Sequence, residues 1–143
     1  VTSGTDNSDA WFVGLTWQDM FTADDRIGLA FGQPINRFGQ IQKYIADSFA
    51  MTQAARCLVY QVAHNVAPGI RNRIGSDAAK LFAAPVGKHV ADNAMQVMGG
   101  AGYCREFPLE RLLRDAKLLE IGGGTLESHQ KNLTKDLPRL FAG

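Results

Sequence analysis

The residues of this 143-residue chain whose types and spacing could do chemistry fall in three glycine-punctuated blocks. They are Gln96-Val97-Met98-Gly99-Gly100-Ala101-Gly102-Tyr103, then Glu106-Phe107-Pro108-Leu109-Glu110-Arg111-Leu112-Leu113-Arg114-Asp115-Ala116-Lys117, then Ile121-Gly122-Gly123-Gly124-Thr125. Glycines at a helix end let the backbone approach a pyrophosphate closely, and the Gln96 carboxamide can donate to an anionic oxygen or accept from an amine. The competing reading of Gly99-Gly100 is a glycine C-cap, and that of Thr125 an ordinary N-cap.

Other candidates carry less. His64, His89 and His129 are too scattered in sequence for a metal cluster, and they read as surface or satisfied histidines. Ser76-Asp77 and Ser128-His129 suggest a hydrolase, yet no G-x-S-x-G elbow or preceding strand accompanies either pair. Lys80, Lys88 and Arg71-Asn72-Arg73 form a modest basic set without interleaved aromatics, which argues against nucleic acid. Cys57 and Cys104 lack metal or redox spacing and read as buried free thiols, and Met95 and Met98 read as core.

Net charge is +1, from 15 basic against 14 acidic residues, so no global field draws in nucleic acid or an anionic membrane. Hydrophobic residues at 45% and charged residues at 20% describe a globular domain rather than a disordered chain. A chain of this size can bury roughly two thirds of its unfolded surface around one core. No stretch has the apolar length of a membrane span, and the polar start has no signal-peptide run, so a soluble protein of the cytoplasm, or a piece of one, is expected.

The elements that must position the three blocks are helices. Ile35, Phe38, Ile41, Ile45, Phe49, Met51 or Thr52, Ala55, Val59, Val62 and Val66 recur by threes and fours, which predicts one long helix with Pro34 near its first turn and Pro68-Gly69 beyond its end. A second helix is predicted over 76–98, with Ser76 and Asp77 as caps, Pro85 kinking or splitting it, and Gly99-Gly100 stopping it. Shorter helices are predicted over 109–118 and 126–137. Four helices with short connections imply an all-α antiparallel bundle over 33–143, with Phe38, Ile41, Ile45, Phe82, Val86, Val90 and Val97 in its core.

Residues 1–32 follow a different period. Trp11, Val13, Leu15 and Trp17 alternate with small or polar residues, as do Ile27, Leu29 and Phe31 after the turn at 22–25, and period two means strand. Residues 11–34 resemble a strand pair of a carbohydrate-selective outer-membrane porin. Two strands cannot close a barrel, so a half-buried β-hairpin on the bundle is a second reading and a helix in spite of the pattern a third.

The three ordered blocks resemble the C-terminal helical domain of the acyl-CoA dehydrogenases over residues 31–137. The resemblance implies a homo-oligomer or partner domains, an acyl-CoA substrate and FAD. It places Gln96, Val97, Met98, Gly99 and Gly100 at a subunit interface, against the ADP half of a flavin held mainly by the partner. Thr125 and Glu127 then touch the cofactor from the last helix, and Gly123 and Gly124 face the thioester. Arg114-Asp115 is implied as a structural ion pair or anchor.

The departures are as informative. Most of the family carries the catalytic glutamate where this chain has Gly123, and glycine cannot remove an α-proton. Isovaleryl- and long-chain-type members share that glycine and draw the base from an earlier helix, near Thr2 by counting back, where only Asp6 and Asp9 stand close. A family arginine for cofactor phosphate is replaced by Gly28, and a glutamine by Gly39 with Gln40 adjacent. The expectation is the C-terminal domain of an FAD-dependent dehydrogenase, inactive alone; a non-catalytic helical interaction module is the alternative.

Overall fold

The computed structural model describes residues 29–30, 33–69 and 73–141. A two-residue antiparallel pair, β1 (Leu29–Ala30) with β2 (Gln33–Pro34), leads through a 3-10 turn at Ile35–Arg37 into the helices. These are α1 (Gly39–His64), α2 (Arg73–Met98), α3 (Gly100–Tyr103), α4 (Leu109–Ile121), α5 (Leu126–Asp136) and α6 (Pro138–Phe141). The all-α architecture follows the sequence periodicity. The strand pattern over 11–18 lies outside the described residues.

Helix α2 is the central element, and α1, α4 and α5 all pack on it. Ser48 of α1 meets Asn93, while Val59 lies near Ala79 and Gly87, so α1 and α2 run antiparallel. Along α4, Leu113 shares a groove with Met95 and Leu119 reaches Gly87. Along α5, His129 meets Asp77 and Asp136 meets Arg73. Helices α4 and α5 therefore follow one another down the same lane of α2, with the 122–125 turn as their joint.

The core is made of small residues. Ala55 of α1, Ala79, Ala84, Ala91 and Ala94 of α2, and Leu109 of α4 are buried with Val90 and Val97. Alanine at these positions lets helix axes approach closely. Of the expected core, Val90 and Val97 are buried and Ile41, Ile45 and Val86 half-buried, but Phe38 and Phe82 are exposed at 36% and 42%. The inner row of α1 passes through Ser48, which is 1% exposed, and leaves its neighbour Phe49 outside. Asn93 Nδ2 donates to Ser48 Oγ at 3.0 Å, and this mutual bond offsets part of the cost of burying the two polar groups.

Several local expectations are corrected. Pro34 sits in β2 rather than in a first helical turn, and α1 begins at Gly39, with Phe38 at its N-cap position. Helix α2 starts at Arg73, so Ser76 and Asp77 are not caps: the Ser76 hydroxyl donates back to the Arg73 carbonyl, and Asp77 is buried. Pro85 does not split α2. A proline removes one backbone bond, and a 26-residue helix packed by three neighbours retains the rest. Cys57 and Cys104 are exposed rather than buried. Arg114 pairs with Glu110 at 2.9 Å, one turn back, and not with Asp115.

Glu120 ties α4 to α2. It is buried at the end of α4, with Lys117 one turn back and Lys88 of α2 at 3.7 Å. The hydrogen bond from Lys117 and the charges of both lysines hold its carboxyl below the ordinary glutamate range, against the opposing effect of desolvation. A carboxyl depressed in the fold stabilises above its unfolded value, and that share is lost as pH falls below about 4.3 and through the folded value. Urea midpoints of the wild type and Glu120→Gln are therefore expected to differ at neutral pH and to converge in acid. A gap that stays constant with pH would contradict this.

Candidate functional site

The 96–100 segment is an exposed helix end. Gly99 stops α2 with φ +59°, and its N–H donates to the Gln96 carbonyl at 3.3 Å. Gly102 is buried, and a Cβ there would meet the Met95 carbonyl and Met98 Cβ at 3.0 Å, so its hydrogen side chain lets α3 fold back on α2. Gln96, Gly99 and Gly100 are exposed, Met98 is half-buried, and Val97 points into the core and offers only backbone. Gly100 differs from its neighbours, because its φ is ordinary and an added Cβ would meet nothing within 4 Å. Nothing in the packing of the described residues requires glycine there. Beside it, Met95, Tyr103, Cys104, Arg105, Glu110 and Arg114 border an open groove of about 690 Å³.

The 122–127 segment is a second exposed corner. Gly123 and Gly124 have φ +70° and +100°. The Thr125 hydroxyl accepts from the Ser128 N–H at 3.4 Å and caps α5. The Glu127 carboxyl is held below its ordinary range by its own backbone N–H and by the Thr125 hydroxyl. Both side chains thus serve the helix start while remaining open to solvent.

Three residues that the sequence gave no reason to group hold this corner. Lys80 Nζ donates to the Leu119 carbonyl and, at 2.8 Å, to the Gly122 carbonyl, capping α4 with a cation where the helix dipole is negative. His129 Nδ1 lies 2.6 Å from Asp77 Oδ1, and its Nε2 lies 3.2 Å from the Gly123 carbonyl. The second members of the two Ser-containing dipeptides, 52 residues apart, are therefore partners. By sequence alone Asp77 reads as a helix cap and His129 as a surface or satisfied histidine. Their pairing requires the α2 and α5 contact.

The two corners do not form one surface within the chain. At 1.5 Å rise per residue, Asp77 and Gln96 are roughly 28 Å apart along α2. Gly39 and Gln40 are exposed at the start of α1, and Gly28 lies outside the described residues. His64 and His89 are exposed, and among the described residues no group of three His, Cys, Asp or Glu side chains is placed to hold a metal. No described helix is long and apolar enough to cross a membrane.

The sequence model of the family described as "Acyl-CoA dehydrogenase, C-terminal domain" matches residues 26–137. The chain is 43% identical over 107 residues to the mitochondrial isovaleryl-CoA dehydrogenase of Oryza sativa subsp. japonica, a match covering 75% of this chain and 26% of that protein. It is 35% identical over 119 residues to cyclohexane-1-carbonyl-CoA dehydrogenase of Geobacter metallireducens, covering 83% and 31%. Among solved structures, butyryl-CoA dehydrogenase from Megasphaera elsdenii superposes with a TM-score of 0.73 at 35% identity, over 78% of this chain and 29% of that one. The chain belongs to the acyl-CoA dehydrogenase family and is its C-terminal helical domain. It spans about a quarter to a third of these relatives' length. The match takes in residues 26–34, part of the porin-like segment, and the porin resemblance gains no support.

Proposed function

We propose that the chain is the C-terminal part of an FAD-dependent enzyme that oxidises an acyl-CoA thioester between its α- and β-carbons, and that it supplies subunit assembly and part of the flavin and thioester environment. The observation that carries the reading is Gly100. It is an exposed glycine with neither a positive φ nor a crowded Cβ position, one turn from the exposed Gln96, and so offers bare backbone to a group from outside the chain. That arrangement fits the ADP half of a flavin, with Gln96 donating to or accepting from it and the backbone of 97–100 passing close. When bound, the flavin supplies the acceptor for the hydride leaving the β-carbon.

At the far end of α2, Gly123 and Gly124 would face the thioester, with Thr125 and Glu127 beside the cofactor. The roughly 28 Å between the corners suits a protein in which each subunit helps to build two flavin sites. Oligomerisation is further supported by the large apolar side chains left exposed, among them Phe49, Tyr103, Leu118, Ile121 and Phe141. These are surfaces for the remainder of a full-length subunit or for a second copy.

The test is flavin affinity in the full-length protein. Gln96→Ala is expected to weaken it by about 1 kcal/mol, roughly fivefold, through loss of one polar contact. Unchanged affinity in a flavin titration would reduce the 99–100 turn to a helix stop. A non-catalytic interaction module is the second reading, favoured by Gly123 at the family's usual base position. Purified full-length protein that binds no flavin would select it.

A further inference from the structure

The 122–125 turn is a joint, and α2 pins it from two sides. Lys80 holds the carbonyls of Leu119 and Gly122. His129, in the first turns of α5, holds the Gly123 carbonyl with Nε2 while Nδ1 lies against Asp77. Both partners of the imidazole are acceptors, the carbonyl always and the carboxylate whenever it is ionised. A neutral imidazole has one N–H and can satisfy only one of them; an imidazolium satisfies both. The Asp77 side chain is 7% exposed, and its Oδ2 meets no donor among the described residues, so the carboxylate depends on the His129 contact.

We infer that His129 is a protonation-dependent latch on the 122–125 turn: as an imidazolium seated on Asp77 it holds the Gly123 carbonyl, and as a neutral ring it keeps Asp77 and releases that carbonyl. The 2.6 Å contact to a buried carboxylate is the stronger of the two, so the 3.2 Å contact to the carbonyl is the one given up. Among the described residues the charged groups on this corner are few. Helix α2 presents Asp77 and Lys80, and its Arg73 is taken by Asp136 at 3.3 Å; α4 presents its terminal carbonyls and the charge of Lys117, which acts on Glu127; the turn presents carbonyls; on α5 itself Glu127 and Lys131 are exposed. Gly124 fits the same design, because an added Cβ would come within 2.9 Å of His129 Nε2. His129 is a positioning residue. On the functional reading above, what it positions is the backbone that faces the thioester, so the shape of that wall depends on pH.

The test is a chemical-shift titration of the 143-residue chain across about pH 5 to 8, where histidines change charge. The Gly123 and Gly124 amide signals are expected to move with the same midpoint as the His129 ring signals. In His129→Gln, which keeps a polar side chain but cannot titrate, that movement should vanish while the remaining spectrum stays folded. In Asp77→Asn, which removes the anionic seat, the movement should shrink, because a neutral ring can then accept from the amide at Nδ1 and keep its Nε2–H on the Gly123 carbonyl. Turn amides that do not move in the wild type, or that move equally in His129→Gln, would overturn the latch. Should neither variant fold, the wild-type titration still decides, because midpoints following His64 or His89 instead of His129 refute it. Flavin is not needed for this readout, so a failed flavin-binding test leaves it intact and the two ideas fail separately.

Discussion

Gly124→Ala is expected to destabilise the chain by about 2–5 kcal/mol, well beyond the roughly 1–2 kcal/mol expected for Gly123→Ala at the adjacent position. Both residues have positive φ, so both substitutions carry backbone strain. The difference is space. A Cβ on Gly123 meets nothing within 4 Å, whereas one on Gly124 comes within 2.9 Å of His129 Nε2. That ring cannot simply swing aside, because Asp77 holds its other nitrogen and is itself buried. Urea midpoints of the two variants measure the gap, and equal losses would mean that His129 does not occupy the position described.

Gly123→Glu in the full-length protein is expected to speed reduction of the flavin by acyl-CoA roughly 100-fold or more, where no other carboxylate reaches the substrate. A general base must lie within hydrogen-bond reach of the proton it takes, and on the proposed reading Gly123 stands at the family's usual base position. A Cβ there meets nothing within 4 Å among the described residues, and the positive φ costs about 1–2 kcal/mol in stability. Anaerobic bleaching reports the reductive step directly. Rapid bleaching with Gly123 intact would place the base on a segment before this domain, the arrangement implied by the resemblance to isovaleryl-type members. The 143-residue chain alone is expected not to bleach flavin at all.

Much of the fold was legible because helical packing leaves a short-range trace. The run of apolar residues at threes and fours predicts α1, and the stops at Gly99 and Pro138 bound α2 and α5, all of which depend on residues close in sequence. The three glycine-punctuated blocks were enough to identify the family, because their order and spacing are those of its C-terminal domain. Which apolar residues are buried was less legible. Phe38, Phe49 and Phe82 fit the stripe but stay outside: Phe38 precedes the first residue of α1, and the inner row of α1 passes through Ser48 beside Phe49.

What only the tertiary structure decided is how the two corners are built. Gly99, Gly100 and Gly102 look alike in sequence; the fold gives the first a positive φ, the last a crowded Cβ position, and Gly100 neither. Asp77 and His129 are 52 residues apart, and no local pattern links them. Sequence determined which segments are helical, the glycine stop at 99 and the family, because hydrophobic period and glycine stops act over a few residues. The pairing of Asp77 with His129, the capping of α4 by Lys80 and the separation of the two corners arise only when α4 and α5 lie in succession along α2, because each joins groups that the chain brings together solely by packing.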